Sequence, residues 1–222
     1  MSRDVDARDW KGHRVLPHYE DMDEQATPGL DSLIRNLSQL LQAIDGCVGL
    51  HLVLPSLILI YAGTDVLGAL EQRSGESTQA SFTRWAEAYM LAAKPLGCAA
   101  IDLYAARCGV LHTFSADSDL YRRGKARRLL YAWGTASTAK LERTADLLGH
   151  GDITVHLSDL ADAFRGGVAR YLTDVSSDPA RRDAVLTAAS DVWLAHMPTT
   201  VLDDFLERAQ QEGRDENGDR KR

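Results

Sequence analysis

Arg107 and His112 stand five residues apart in the stretch DLYAARCGVLHTFSADSDLYRRGKARR, residues 102–128. An arginine carries a permanent, planar, bidentate cation suited to an anionic oxygen. A histidine titrates near neutrality and can take or give a proton there. The two types together supply anion recognition and proton transfer. Their spacing is permissive rather than decisive. Five residues on a regular helix amount to about 140° of rotation and about 7.5 Å of rise, so the side chains do not stack. They meet on one ligand if the arginine reaches, if the helix distorts near Gly109, or if a second copy joins across a two-fold axis.

The surroundings make the arginine conspicuous. Ile101, Tyr104, Ala105, Cys108 and Leu111 form one apolar face of a helix, widened by Leu103, Ala106 and Val110. Arg107 interrupts it, either with its stem buried and its head in water or with a carboxylate partner. Asp65 and Asp102 are the candidate partners. Asp65 lies in an apolar run beside Tyr61, Val66 and Leu67, where a carboxylate is costly unless bonded or at an exposed edge. From Arg107 to Arg128 five Arg and one Lys face Asp117 and Asp119, a local balance of 6 − 2 = +4, while the whole chain carries −7. That excludes a generally basic nucleic-acid coat. It leaves Arg122, Arg123, Lys125, Arg127 and Arg128 as either a solvated loop or a strip that holds an anion.

Other chemistry is not signalled. The sequence has no Gly-rich phosphate loop, GxSxG, HExxH or GxGxxG pattern. RGGVAR, residues 165–170, reads as glycines that let helices pack closely. His150 and His156 flank Asp152 but are too few for a metal site, and His51 and His196 read as structural. Cys47, Cys98 and Cys108 are odd in number, without CxxC spacing, and lie in apolar surroundings. They read as reduced core thiols of a cytoplasmic protein. No metal or cofactor is expected.

The elements that must position these residues are mostly helices. At 222 residues with 45% hydrophobic and 26% charged residues, the chain can bury a real core. Residues 1–28 read as a flexible arm without a signal-peptide core, 29–209 as one domain, and 210–222 as a disordered charged tail. Leu30, Leu33, Ile34, Leu37, Leu40, Leu41 and Ile44 follow helical spacing, with Gly46 as the stop. A second helix runs from Leu50 or Pro55 to Gln72. It is apolar nearly all round and so central. Its thirteen-residue apolar run, 52–64, is too short for a membrane span. ASFTRWAEAYMLAA is a third helix with Phe82, Trp85, Ala86 and Tyr89 inward, and CAAIDLYAARCGVLH a fourth. KARRLLYAWG and DITVHL are β-compatible and expected to pair as a small hairpin-like ribbon, with residues 135–151 a helical or irregular excursion between them. Two more helices follow, capped at Ser158 and Asp178. The fold class is mainly α, an up-and-down-like bundle with a small β-hairpin-like element.

On these residues a resemblance can be stated. RCGVLH has the Arg-x4-His form, and with IYAGTDVLGAL and FTRWAEAYM before it the layout resembles the HEPN superfamily (higher eukaryotes and prokaryotes nucleotide-binding) over residues 30–135. Its members are helical bundles, many of them metal-independent ribonucleases of toxin–antitoxin, CRISPR-linked and phage-defence systems. The resemblance implies an RNA substrate, a homodimer facing through the fourth helix and an antitoxin or defence-system partner protein. By motif, Arg107 would stabilise the scissile phosphate and His112 would act as general base or acid. Tyr104 and Ser115 would orient substrate, Asp65 and Asp102 would support, and Arg122, Arg123, Lys125, Arg127 and Arg128 would track the RNA backbone. The family often has Asn or Asp directly after the arginine; here Cys108 stands there. Two other readings remain: a non-catalytic HEPN-like nucleic-acid-binding or dimerisation module, and a helical adaptor unrelated to RNA.

Overall fold

Helix α2 (Val53–Leu70) sits against four others: α1 (Pro28–Gly49), α3 (Thr78–Trp85), α4 (Ala100–Thr113) and α7 (Leu157–Ser177). Its all-round apolar composition is what such a position demands. Leu57, Ile60, Tyr61 and Leu67 are buried on it. The computed structural model describes residues 28–147 and 151–192, with side-chain exposure described for 32–147 and 151–189. The N-terminal arm, the charged tail, His150 and His196 lie outside the described residues. Among the described residues α2 is the one helix long and apolar enough to cross a membrane, and half of that span is buried inside the protein. Pro55 falls in its first turn, where a missing N–H costs nothing.

The helix ends differ from expectation in one informative place. α1 runs past Gly46 to Gly49. Leu52 N–H donates to the Cys47 carbonyl at 2.8 Å and His51 N–H to the Val48 carbonyl at 3.1 Å. These are the two bonds of a Schellman cap, whose left-handed position usually holds glycine. Here it holds His51, with φ of 58°.

The third helix changes register within itself. After Trp85 it continues as a π-helical segment, Ala86–Leu91. Trp85 and Tyr89 stack in a core cluster with Phe164 and Tyr171, ring centroids 5.3 to 6.1 Å apart. Helix α7 passes close to this segment because residues 166 and 167 are glycines. A Cβ at Gly167 would stand 3.0 Å from the Met90 Cα and one at Gly166 2.9 Å from the Ala93 Cβ. The packing role expected of RGGVAR is the one observed.

Strands β1 (Leu129–Ala132) and β2 (Ile153–His156) pair in parallel, Leu129 opposite Ile153 and Ala132 opposite His156. The expected hairpin-like ribbon is therefore corrected to a β–α–β unit, with α6 (Thr138–Leu147) in the crossover. Parallel strands need a connection of about a dozen residues or more, and the intervening segment supplies it. A hydrogen bond of 2.5 Å between the Tyr131 and Tyr61 hydroxyls joins β1 to α2. His156, not Ser158, caps α7: its Nδ1 accepts from Ser158 N–H at 3.3 Å. A short α5 (Asp119–Arg122) precedes β1, and α8 (Pro179–Val192) follows α7. The protein is mainly helical, with this one small sheet among the described residues.

Candidate functional site

The buried face of α4 is not the one the sequence wheel suggested. Asp102, Leu103, Ala106, Gly109 and Val110 are buried, with Ala105, while Ile101, Tyr104, Cys108 and Leu111 are only half-buried. The cause is Asp102. Its carboxylate is only 2% exposed and accepts from Ala99 N–H at 2.9 Å, capping α4. It also accepts from Arg127 N–H at 2.7 Å and from the Arg127 guanidinium at 2.8 Å. Asp102 thus belongs to Arg127 and the helix start, and not to Arg107. Burying an acid is tolerable because several donors converge on it.

That rotation leaves Arg107 at the boundary between core and solvent. Its side chain is 15% exposed, and that of Asp65 on α2 is 17% exposed. Arg107 Nε donates to Asp65 Oδ2 at 2.6 Å and Nη2 stands 2.5 Å from the same oxygen. Of the readings open for both residues, the ion pair is the one realised. The remaining nitrogen, Nη1, is 3.2 Å from His112 Nε2, and His112 is exposed. The long arginine stem closes the 140° offset without helix distortion. Nη1 also lies 3.9 Å from Cys108 Sγ, and the guanidinium carbon is 5.8 Å from the Tyr104 ring centroid. Tyr104 rests edge-on against Phe82, which fixes the ring.

The charges respond to this setting. Burial raises the Asp65 carboxyl above the usual carboxylate range, more than the hydrogen bond and charge of Arg107 lower it. Burial pulls the Arg107 guanidinium down, but its bonds to Asp65 reverse the sign and hold it above its ordinary value. Arg107 is a cation under all ordinary conditions. Since Arg107 can only donate, His112 Nε2 must be the acceptor, which assigns the ring proton to Nδ1.

The helix end beside the pair is fixed by a glycine. Phe114 closes α4 in a left-handed conformation, φ 51°, and Ser115 N–H returns to the Gly109 carbonyl at 3.2 Å. A Cβ at Gly109 would stand 2.4 Å from the Ser115 carbonyl oxygen. Ser115 itself is a turn residue: its hydroxyl accepts from Asp117 N–H at 3.0 Å.

The basic strip divides. Arg128 pairs with Asp152 at 2.6 Å and Asp117 at 3.1 Å and lies over the Tyr121 ring. Arg127 is held by Asp102, and Arg122 is paired with Asp119 at 2.5 Å on the surface. Arg127 and Arg128 therefore anchor the β1 entry; Arg122, Arg123, Lys125 and Arg127 are exposed, and Arg128 is half-buried. No group of three or more His, Cys, Asp or Glu stands together as metal ligands among the described residues.

A concavity that the sequence did not signal strongly lies elsewhere. A cavity of about 640 Å³ opens where both strands end, beside the turn after α1. His51, Trp133, His156 and Ser158 are among its lining residues, and none of that lining comes from α4. An apolar strand that ends on Trp-Gly, AWG, was the signal available for it. No protein-family model, curated protein or solved structure matches the chain.

Proposed function

We propose that the protein is a metal-independent endoribonuclease of HEPN type, acting in the cytoplasm as a toxin or phage-defence effector. The observation that carries this reading is the 3.2 Å approach of Arg107 Nη1 to exposed His112 Nε2, with Asp65 bracing the guanidinium from below. RNA brings its own nucleophile, the 2′-OH. His112 Nε2 exchanges its hydrogen bond from Arg107 for one from the 2′-OH and removes that proton, the 2′ oxygen attacks the adjacent phosphorus, and the bond to the 5′ oxygen breaks, leaving a 2′,3′-cyclic phosphate and a 5′-OH. The protonated imidazole can then return that proton to the leaving oxygen. Arg107 balances the charge that grows on the phosphate. Exposed Arg122, Arg123 and Lys125 would meet neighbouring phosphates, which would make binding depend on salt. The half-buried Ile101, Tyr104, Cys108 and Leu111 beside the pair favour a homodimer through α4, with both pairs in one cleft.

The test is RNA cleavage in EDTA by wild type, Arg107→Ala and His112→Ala. Cleavage by wild type alone, with cyclic phosphate ends, supports the proposal; equal activity in both variants removes the site. A non-catalytic HEPN-like module is the second reading. It is favoured by one observation: every nitrogen of the Arg107 guanidinium already has a partner within the protein. RNA binding that survives without any cleavage would select it.

A further inference from the structure

We infer that the cavity at the carboxyl ends of β1 and β2 binds an uncharged, planar heteroaromatic ring of nucleobase size. Its volume, about 640 Å³, falls within the range of small-ligand sites. The chemistry of its walls selects the ligand. Trp133 is 49% exposed, an unusual cost for an indole unless its face is to be covered. Two imidazoles offer edge hydrogen bonds, the Ser158 hydroxyl being held 2.7 Å from His156 Nδ1, and no Lys, Arg, Asp or Glu is among the lining residues. A ligand defined by a full charge would find no Lys, Arg, Asp or Glu to pair with there. A flat ring with donors and acceptors on its edge would find a stacking face and polar partners.

The two histidines are prepared for this in different ways. His156 Nδ1 is occupied within the chain, with Ser158 N–H at 3.3 Å and Ser158 Oγ at 2.7 Å, which leaves Nε2 as its nitrogen for a ligand. His51 occupies the left-handed cap position where glycine would be unstrained. Its imidazole reaches the strand-end turn, since a Cβ at Gly134 would stand 3.5 Å from His51 Cε1. A side chain kept at a strained position, with its ring on a cavity wall, has a reason beyond the cap. The inference rests on the cavity alone and stands whether or not the protein cleaves RNA.

The test is titration of the full chain with adenosine, guanosine, cytidine and uridine, read by NMR at the imidazole and indole protons. His51→Gly, Trp133→Ala and Trp133→Phe assign the signals. Expected is saturable binding of at least one nucleoside that shifts both the Trp133 and His51 resonances. Trp133→Ala should weaken it roughly fivefold or more, the loss of one stacking face. His51→Gly should weaken it while raising the melting temperature, which a merely structural histidine would not combine. Displacement of the nucleoside by a single-stranded oligonucleotide marks an RNA-borne base as the ligand, and failure to displace marks a free one. No shift at either residue with any nucleoside at millimolar concentration overturns the inference. So does binding of equal strength in Trp133→Ala and His51→Gly.

Discussion

The guanidinium of Arg107 is engaged on all three nitrogens, and this decides how its ion pair should be valued. Asp65 takes Nε and Nη2, and His112 faces Nη1. Burial outweighs the arginine at Asp65, whose carboxyl is raised and not lowered. The pair therefore does not hold the fold together in the way an exposed carboxylate with a depressed value would. Removing one partner still leaves the other poorly solvated. We expect Arg107→Met and Asp65→Leu each to lose about 1–3 kcal/mol in urea denaturation. The double variant should return to within about 1 kcal/mol of wild type, because apolar replacements of similar volume suit a half-buried site. A double variant as unstable as the sum of the singles would show no coupling between the two residues and contradict the assigned ion pair. Arg107→Lys keeps the charge but cannot bridge Asp65 and His112 together. RNA cleavage should fall about a hundredfold or more in single-turnover assays, the scale of one lost oxyanion donor. At this scale the sequence singled out Arg107, His112 and Asp65, which the structure brings together, and spoke poorly about partners. Asp65 and Asp102 were rival candidates for Arg107, and only the tertiary meeting of α4 with the β1 entry assigns Asp102 to Arg127.

Among the elements, what local chemistry determines was readable and what depends on distant segments was not. Helical period located α1, α2, α3, α4 and α7. Strand direction was hidden because it depends on α6 crossing over. The buried face of α4 was hidden because a helix apolar nearly all round has no preferred side, and a buried, bonded Asp102 then sets the rotation. The cap at His51 was hidden because its left-handed position normally calls for glycine. That cap supports a prediction: His51→Gly should stabilise the protein by about 1 kcal/mol, read as a higher urea midpoint at unchanged slope. A second concerns the loop before α3. Arg84 donates from Nε and Nη2 to Glu76 at 3.0 and 2.9 Å, and Arg73 N–H donates at 2.9 Å. These bonds, Arg84 first, hold the Glu76 carboxyl down to about 2 from an ordinary 4.5. The folded state then binds fewer protons than the unfolded one between those values, so the contribution is full above 4.5 and lost as pH falls towards 2. The difference in urea midpoint between wild type and Glu76→Gln should be flat from neutrality to about pH 5 and shrink below it. A difference that grows on acidification would contradict the assigned bonds.

For the whole molecule the decisive question is whether one copy of α4 is a complete site. A single His112 can remove the 2′ proton and return it, but it must then serve both sides of an in-line displacement. A second copy placed across α4 would supply an imidazole on the far side and double the positive charge at the phosphate. The surface that would bring it there is defined: Ile101, Tyr104, Cys108 and Leu111 are spaced along α4 and only half-buried, beside the Arg107–His112 pair. An apolar stripe next to a polar pair suits an isologous interface, where each copy covers the stripe of the other. Leu111→Glu places a charge in that interface, and Leu111→Asn, which is uncharged, controls for the new ion pair that a glutamate one turn after Arg107 could form. Sedimentation at micromolar concentration should give a dimer for wild type and a monomer for Leu111→Glu, with unchanged circular dichroism. Cleavage should fall with dissociation. Mixing inactive Arg107→Ala and His112→Ala proteins should then restore part of the activity, since a mixed dimer pools the intact residues of both chains. A Leu111→Glu monomer that cleaves at the wild-type rate would show that each α4 acts alone.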